Sequence, residues 1–416
     1  MKLFVASLIV ISLALLASSK LAFRMRRSRL LTMLFSGGWI TLGAGVLIQF
    51  ASADLSSGEV LLDARPIIMT ALGWIGLMVG MQARRDVLRS LPVRVWRMAI
   101  ADSIACIALF GVFATAMLVL WSGRSFTETG ALAVIEPALM LAAAGIGWSL
   151  ETRSLSIDRD THDEKASAML RSSGSLCVIF AISIYGFFEL LVGRTALLGE
   201  SFDLLVALRQ VVTTVALALS MGFIGRYGLR VAGRHRPEQL IVFLGLVAFV
   251  AGIASQLGIS PLFASMLTGV VIANLAGNDL RLFERFILQA EPIVGAVFAL
   301  IAGLLLELRI GAVEIGFAMG IVALRALAKP MLWSAFGREP GTGSKGWVSI
   351  APIRQGRLAI ALGVSLFLVV PSDLTERLLT VIVLAGLICD LLTLAILRLG
   401  GGQRVESDTP MQEASA

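Results

Sequence analysis

The chain has 416 residues, 57% of them hydrophobic and 15% charged, with a mean hydropathy of +0.89 and a formal charge of +7. Ordinary globular domains carry about 25% charged residues, so this balance excludes a soluble enzyme, a disordered chain and a nucleic-acid-binding domain. It points to a polytopic, all-α membrane protein whose basic excess belongs to its connecting loops.

A helix needs about 20 apolar residues to cross the hydrocarbon core. Thirteen runs meet or approach that length: 3–19, 30–50, 66–82, 98–121, 130–149, 172–192, 203–225, 239–257, 260–276, 288–306, 310–328, 346–370 and 377–397. The first run lacks a small-x-small cleavage site ahead of polar sequence, so it reads as a retained helix and not as a signal peptide. Taken alternately, the loops hold 25 basic residues on one side and 6 on the other. The positive-inside rule then predicts an outside N-terminus and a cytoplasmic C-terminus in a bacterial inner membrane. No segment outside the spans is long enough to fold alone. Residues 1–398 read as one transmembrane domain and 399–416 as a disordered cytoplasmic tail.

Catalytic chemistry finds little support. His162 and His235 both sit in charged connecting segments, which leaves no His cluster for a metal. Cys106, Cys177 and Cys389 lie in apolar stretches without the spacing of a disulfide framework or a zinc site. No acidic pair or nucleophile–base arrangement stands out. An enzyme is therefore disfavoured, and no cofactor or metal is expected.

Ionisable residues inside spans are costly and mark function by default. The fifth span, 130–149, carries Glu136, Pro137, Gly145 and Gly147 and reads as interrupted. Glu136 reads equally as a cavity residue or as an outer-leaflet acid. The sixth holds Glu189 near its outer end, where an interfacial place is the first reading. In the eleventh, Arg325 and Lys329 are four apart and share a helix face. Lys329 precedes Pro330 at the cytoplasmic end, so snorkelling competes with burial there.

The twelfth span, 350-IAPIRQGRLAIALGVSLFL-368, holds Pro352, Arg354, Gly356 and Arg357. Proline removes a backbone donor and glycine loosens a helix, which predicts a helix broken within the membrane. The competing reading starts the helix near Leu358 and leaves both arginines cytoplasmic. Interrupted segments at matching places in two halves of a chain point to a transporter's binding site. Asp390, a lone acid in the last span, either takes up a proton or pairs with a cation from another helix. The small residues of 265-SMLTGVVIANLAG-277 suit close helix packing.

Several of these stretches, in order, resemble the monovalent cation:proton antiporter superfamily in its bacterial sodium/proton and potassium/proton exchanger branch. The carriers are 72-LGWIGLMVGMQARRDVLRSLP-92, 257-LGISPLFASMLTGVVIANL-275, the Arg325/Lys329 pair, and Pro352–Gly356 followed by a small-residue helix. The resemblance implies two inverted repeats with two crossed broken helices, and elevator-like exchange of Na⁺ or K⁺ for protons by a homodimer. It also implies a carboxylate in the middle of the sixth helix. There this sequence departs: counting from Gly174 reaches Tyr185, and the middle of the helix holds no acid. A tyrosine hydroxyl titrates near pH ~10 and cannot act as the same switch. Arg357, after Gly356, adds a cation where the family keeps a glycine pair.

Three readings follow. The chain is an antiporter using another acid among Glu136, Glu189 and Asp390. Or it is a carrier whose Arg354 and Arg357 neutralise an anionic or organic solute. Or it has lost transport and serves as a membrane sensor or partner subunit.

Overall fold

The structure is a computed structural model. It describes residues 38–51, 58–122, 131–146, 164–198, 204–232, 236–275, 295–296, 298–306, 310–337, 351–369 and 373–401. Among these residues there is no strand. The helices are α1 (Trp39–Ala51), α2 (Gly58–Gln82), the short α3 (Arg85–Ser90), α4 (Val93–Ser122), α5 (Ala131–Ile146) and α6 (Glu164–Leu198). There follow α7 (Leu204–Ala232), α8 (Arg236–Leu257), α9 (Pro261–Leu275), α10 (Ala312–Leu332), α11 (Arg357–Val369) and α12 (Asp373–Gly401). Residues 298–304 form a further helical stretch between α9 and α10.

Every expected span from 30–50 onward contains a helix; the first, 3–19, and the tail beyond residue 401 lie outside the described residues. Among the described residues, six stretches are long and apolar enough to cross a membrane: Val93–Leu120, Ala168–Leu191, Leu204–Ala232, Glu238–Leu257, Ala312–Phe336 and Leu374–Ile396. The chain is a multi-pass helical membrane protein. Pro137–Ile146 and Arg357–Leu368 are shorter apolar helices, and both end or begin at the functional site.

Glycines set the closest helix pair. A Cβ at Gly76 or Gly80 of α2 would strike the Leu262 or Met266 carbonyl of α9, and one at Gly269 would lie 2.5 Å from the Leu77 carbonyl oxygen. Backbone-to-backbone approach of this kind needs hydrogen in place of a side chain, so Gly269, among the small residues expected to pack closely, does so; residues 276 and 277 lie outside the described residues. The same device joins α1 to 298–304, through Gly45 and Gly303.

The turn between α8 and α9 follows from Gly258, whose φ of 67° is open to glycine. Ile259 N–H bonds the Ala254 carbonyl at 2.8 Å and Gly258 N–H bonds that of Ser255 at 3.2 Å. This is the Schellman pairing that satisfies the last carbonyls of a helix. Pro261 then opens α9, where its missing N–H costs nothing. Ser260 in the turn and Ser365 of α11 share a hydrogen bond of 3.1 Å.

In α10 the buried residues are Glu314, Phe317, Ala318, Ile321, Val322, Arg325, Ala328 and Lys329. They form one stripe at helical period. Val313, Met319, Leu327 and Met331 lie exposed on the other faces. The pattern is inside-out relative to a soluble helix: charges face the protein and apolar side chains face lipid.

Candidate functional site at a helix crossing

The site begins where the last described turn of α5 meets the segment Ala351–Gly356 inside the bundle. A helix end leaves four carbonyls without partners and carries about half a negative charge. The described part of α5 ends at Ile146. Pro137 does not interrupt it: the helix continues past it, because the missing N–H frees only the Ala133 carbonyl. Gly145 lies in its last described turn; Gly147 lies outside the described residues. The second segment is a 3-10 turn, Ala351–Ile353, after which Arg354, Gln355 and Gly356 leave the helical path before α11 starts. The chain is non-helical at Arg354–Gly356; the residues before Ala351, where the first half of a broken helix is expected, lie outside the described residues. All of Pro352–Gly356 is buried, so Arg354 is covered by protein although it lies outside a helix.

Arg325 joins the two ends. Its Nη1 donates to the carbonyls of Gly145 (2.8 Å) and Ala144 (3.5 Å) at the end of α5. Its Nε donates to Ile353 (3.1 Å), and its Nη2 to Arg354 (3.0 Å) and Pro352 (3.3 Å). A guanidinium has five N–H donors in a rigid plane, and here they serve orphaned carbonyls from both segments. The cation also offsets the negative ends of both. Its side chain is fully buried.

One turn further along α10, Lys329 Nζ lies 2.6 Å from Asp102 Oδ2 and 2.8 Å from Oδ1, and donates to the Ile146 carbonyl at 3.2 Å. Lys329 is 1% exposed and Asp102 3%. The expectation of a snorkelling Lys329 is therefore corrected: a carboxylate from α4 supplies the counter-charge that lets it stay inside. Asp102 also accepts from Cys177 of α6 at 3.5 Å, and Cys106 Sγ lies 3.9 Å from it and 3.6 Å from the Gly145 carbonyl.

A second buried pair stands at the second segment. Arg354 donates through Nε to Asp390 Oδ1 at 3.1 Å and through Nη2 to Oδ2 at 3.4 Å. The indole of Trp39 donates to Asp390 Oδ2 at 2.8 Å. Of the two readings of Asp390, pairing with a cation from another segment is the arrangement found.

The remaining candidates are more scattered. Arg357 is half-buried at the start of α11 and lies against the Gly295 backbone. Glu189 is 5% exposed, covered by the protein around it. Tyr185 is 2% exposed, about two turns from Cys177, through which α6 meets the Asp102 carboxylate. Glu136 lies in α5, and its side chain is outside the described residues. Among the described residues no group of His, Cys, Asp and Glu could hold a metal ion.

Sequence reasoning does not single out Asp102 or Trp39. Asp102 sits inside the run 98–121, and its fellow buried residues Met98, Ala99, Cys106, Phe110 and Ala114 recur at helical spacing around it. An acid on the buried stripe of a lipid-embedded helix is the available signal. Nothing comparable marks Trp39.

Helical segments that meet inside an apolar bundle, with buried cations where they meet, are an arrangement that secondary transporters also use. The fold is that of a solved structure of the sodium proton antiporter MjNhaP1 from Methanocaldococcus jannaschii at pH 8. The TM-score is 0.62 at 15% identity, over 98% of this chain and 99% of that one. No family model matches the sequence, and no curated protein matches it.

Proposed function

We propose that this chain exchanges a monovalent cation, Na⁺ or K⁺, for protons across the bacterial inner membrane, with Asp102 as the exchanging carboxylate. One observation carries the reading: the Lys329–Asp102 pair at the end of α5. It places a titratable acid and a titratable amine together, in a chain whose sixth helix has no acid at its middle. A monovalent cation and the Lys329 ammonium compete for one carboxylate. When the metal cation takes Asp102, a lone buried ammonium is costly and sheds its proton. Cation entry and proton release then share a single step. Arg325 holds both segment ends in register while this happens.

Asp390, Glu189, Tyr185 and Glu136 remain candidates for the pathway to and from this acid. An elevator-like movement, a homodimer, and an outside N-terminus with a cytoplasmic C-terminus belong to the same reading.

A second reading has its own support. Arg354 Nη1 is buried without a hydrogen-bond partner among the described residues, and Arg357 is close by in sequence. That favours a carrier for an anionic or organic solute.

Reconstituted proteoliposomes separate the two. The antiport reading expects Na⁺, K⁺ or Li⁺ addition to move internal pH in the wild type and not in Asp102→Asn. Silence with all three ions, together with Arg357-dependent uptake of an anion, would replace it with the carrier.

A further inference from the structure

We propose that the groove between α3 and the ends of α2, α4 and α9 binds the headgroup of an anionic phospholipid. The cavity is about 690 Å³ and is lined by Arg85, Leu88, Arg89, Val93, Trp96 and Asn274, among others. Three apolar helices meet their polar boundary here: α2 ends at Gln82, α9 ends at Leu275, and the apolar stretch of α4 starts at Val93. That places the groove at the depth of lipid headgroups.

The charge is right for a phosphate. Arg84 is taken up by Asp86, at 2.6 Å. Among the described residues neither Arg85 nor Arg89 enters an ion pair, and both are exposed. A planar guanidinium matches phosphate oxygens in pairs. The apolar side is also provided. Leu88, Leu91 and Val93 line it, Val93 at 66% exposure, and Trp96 anchors its indole by donating to the Leu88 carbonyl at 3.3 Å. An amphipathic indole at this level is the usual interfacial anchor.

Asn274 of α9 ties the groove to the end of α2. Asn274 accepts from the Arg85 backbone N–H at 2.8 Å and donates to the Ala83 carbonyl at 3.2 Å. A bound lipid would therefore bear on the α2–α9 pair itself.

The test is binding of phosphatidylglycerol to the purified chain, against phosphatidylcholine, followed by the rise in unfolding temperature and by native mass spectrometry. A basic residue near an anionic surface contributes about fivefold in affinity. Arg85→Gln/Arg89→Gln should weaken phosphatidylglycerol about thirtyfold, while Arg226→Gln/Arg230→Gln, which removes two other basic residues, should leave it unchanged. Brominated-acyl phosphatidylglycerol should quench the wild type more than Trp96→Phe, a readout that stands even where the arginine variant fails to fold. Equal binding by both double variants, equal quenching with and without Trp96, or full displacement by inorganic phosphate would overturn the proposal. The last would make it a site for soluble phosphate.

Discussion

Lys329 and Asp102, 227 residues apart, form a buried ion pair of 2.6 Å beside the last described turn of α5. Neither charge could stay there without the other. Removing one partner of a buried pair costs about 3–5 kcal/mol, whereas replacing both by apolar groups is often neutral. Asp102→Asn should lower stability by that order, and Asp102→Asn/Lys329→Met should recover much of it. Thermal unfolding in detergent checks both. Both variants should lose exchange, which distinguishes a transport role from a structural one.

Arg325 should not tolerate lysine. An ammonium has three donors from one point and cannot serve carbonyls on two segments. Each buried carbonyl left open costs about 1–3 kcal/mol. Arg325→Lys should lower stability by about 3 kcal/mol, read as a fall in unfolding temperature with charge unchanged. A variant as stable as wild type would show that the crossing holds without the guanidinium.

The glycines of α2 and α9 should divide sharply from those that face open space. Gly76→Ala and Gly80→Ala put a methyl group into a backbone carbonyl of α9, with an expected cost of about 3 kcal/mol. A Cβ at Gly252 of α8 would meet nothing within 4 Å. There Gly252→Ala should stabilise by up to about 1 kcal/mol through helix propensity. Expression yield and unfolding temperature across the three variants give the comparison.

Trp39→Phe keeps the ring volume approximately and deletes the donor to Asp390. A hydrogen bond to a charged group contributes about 1.5–3 kcal/mol, so a loss within that range is expected. In an Arg354→Met background Asp390 loses the guanidinium that shares its carboxylate with the indole. The loss from Trp39→Phe should then differ from that in the wild type. A double-mutant cycle on unfolding free energies measures the difference.

Much of the frame is legible in the sequence, because lipid imposes a length and a polarity that few other environments do. The non-helical stretch at Arg354–Gly356 can be read from proline and glycine chemistry, and the shared face of Arg325 and Lys329 from their spacing. Pro137 misleads, since one missing N–H near the start of a helix is absorbed. The partners of the charges are the harder part. Asp102 and Lys329 are related by packing alone, and no local pattern in either span names the other. The burial of Glu189 is hidden for the same reason: distance along a span indicates depth in the membrane and not which side of the helix its neighbours cover.

Proton release on cation binding to the purified protein tests the central claim most directly. It is followed by calorimetry in buffers of different ionisation enthalpy. If Asp102 exchanges the Lys329 ammonium for a metal cation, Na⁺, K⁺ or Li⁺ binding to the wild type should release protons, and Asp102→Asn should release none. Binding without proton release in the wild type, or the same release from Asp102→Asn, would contradict the account.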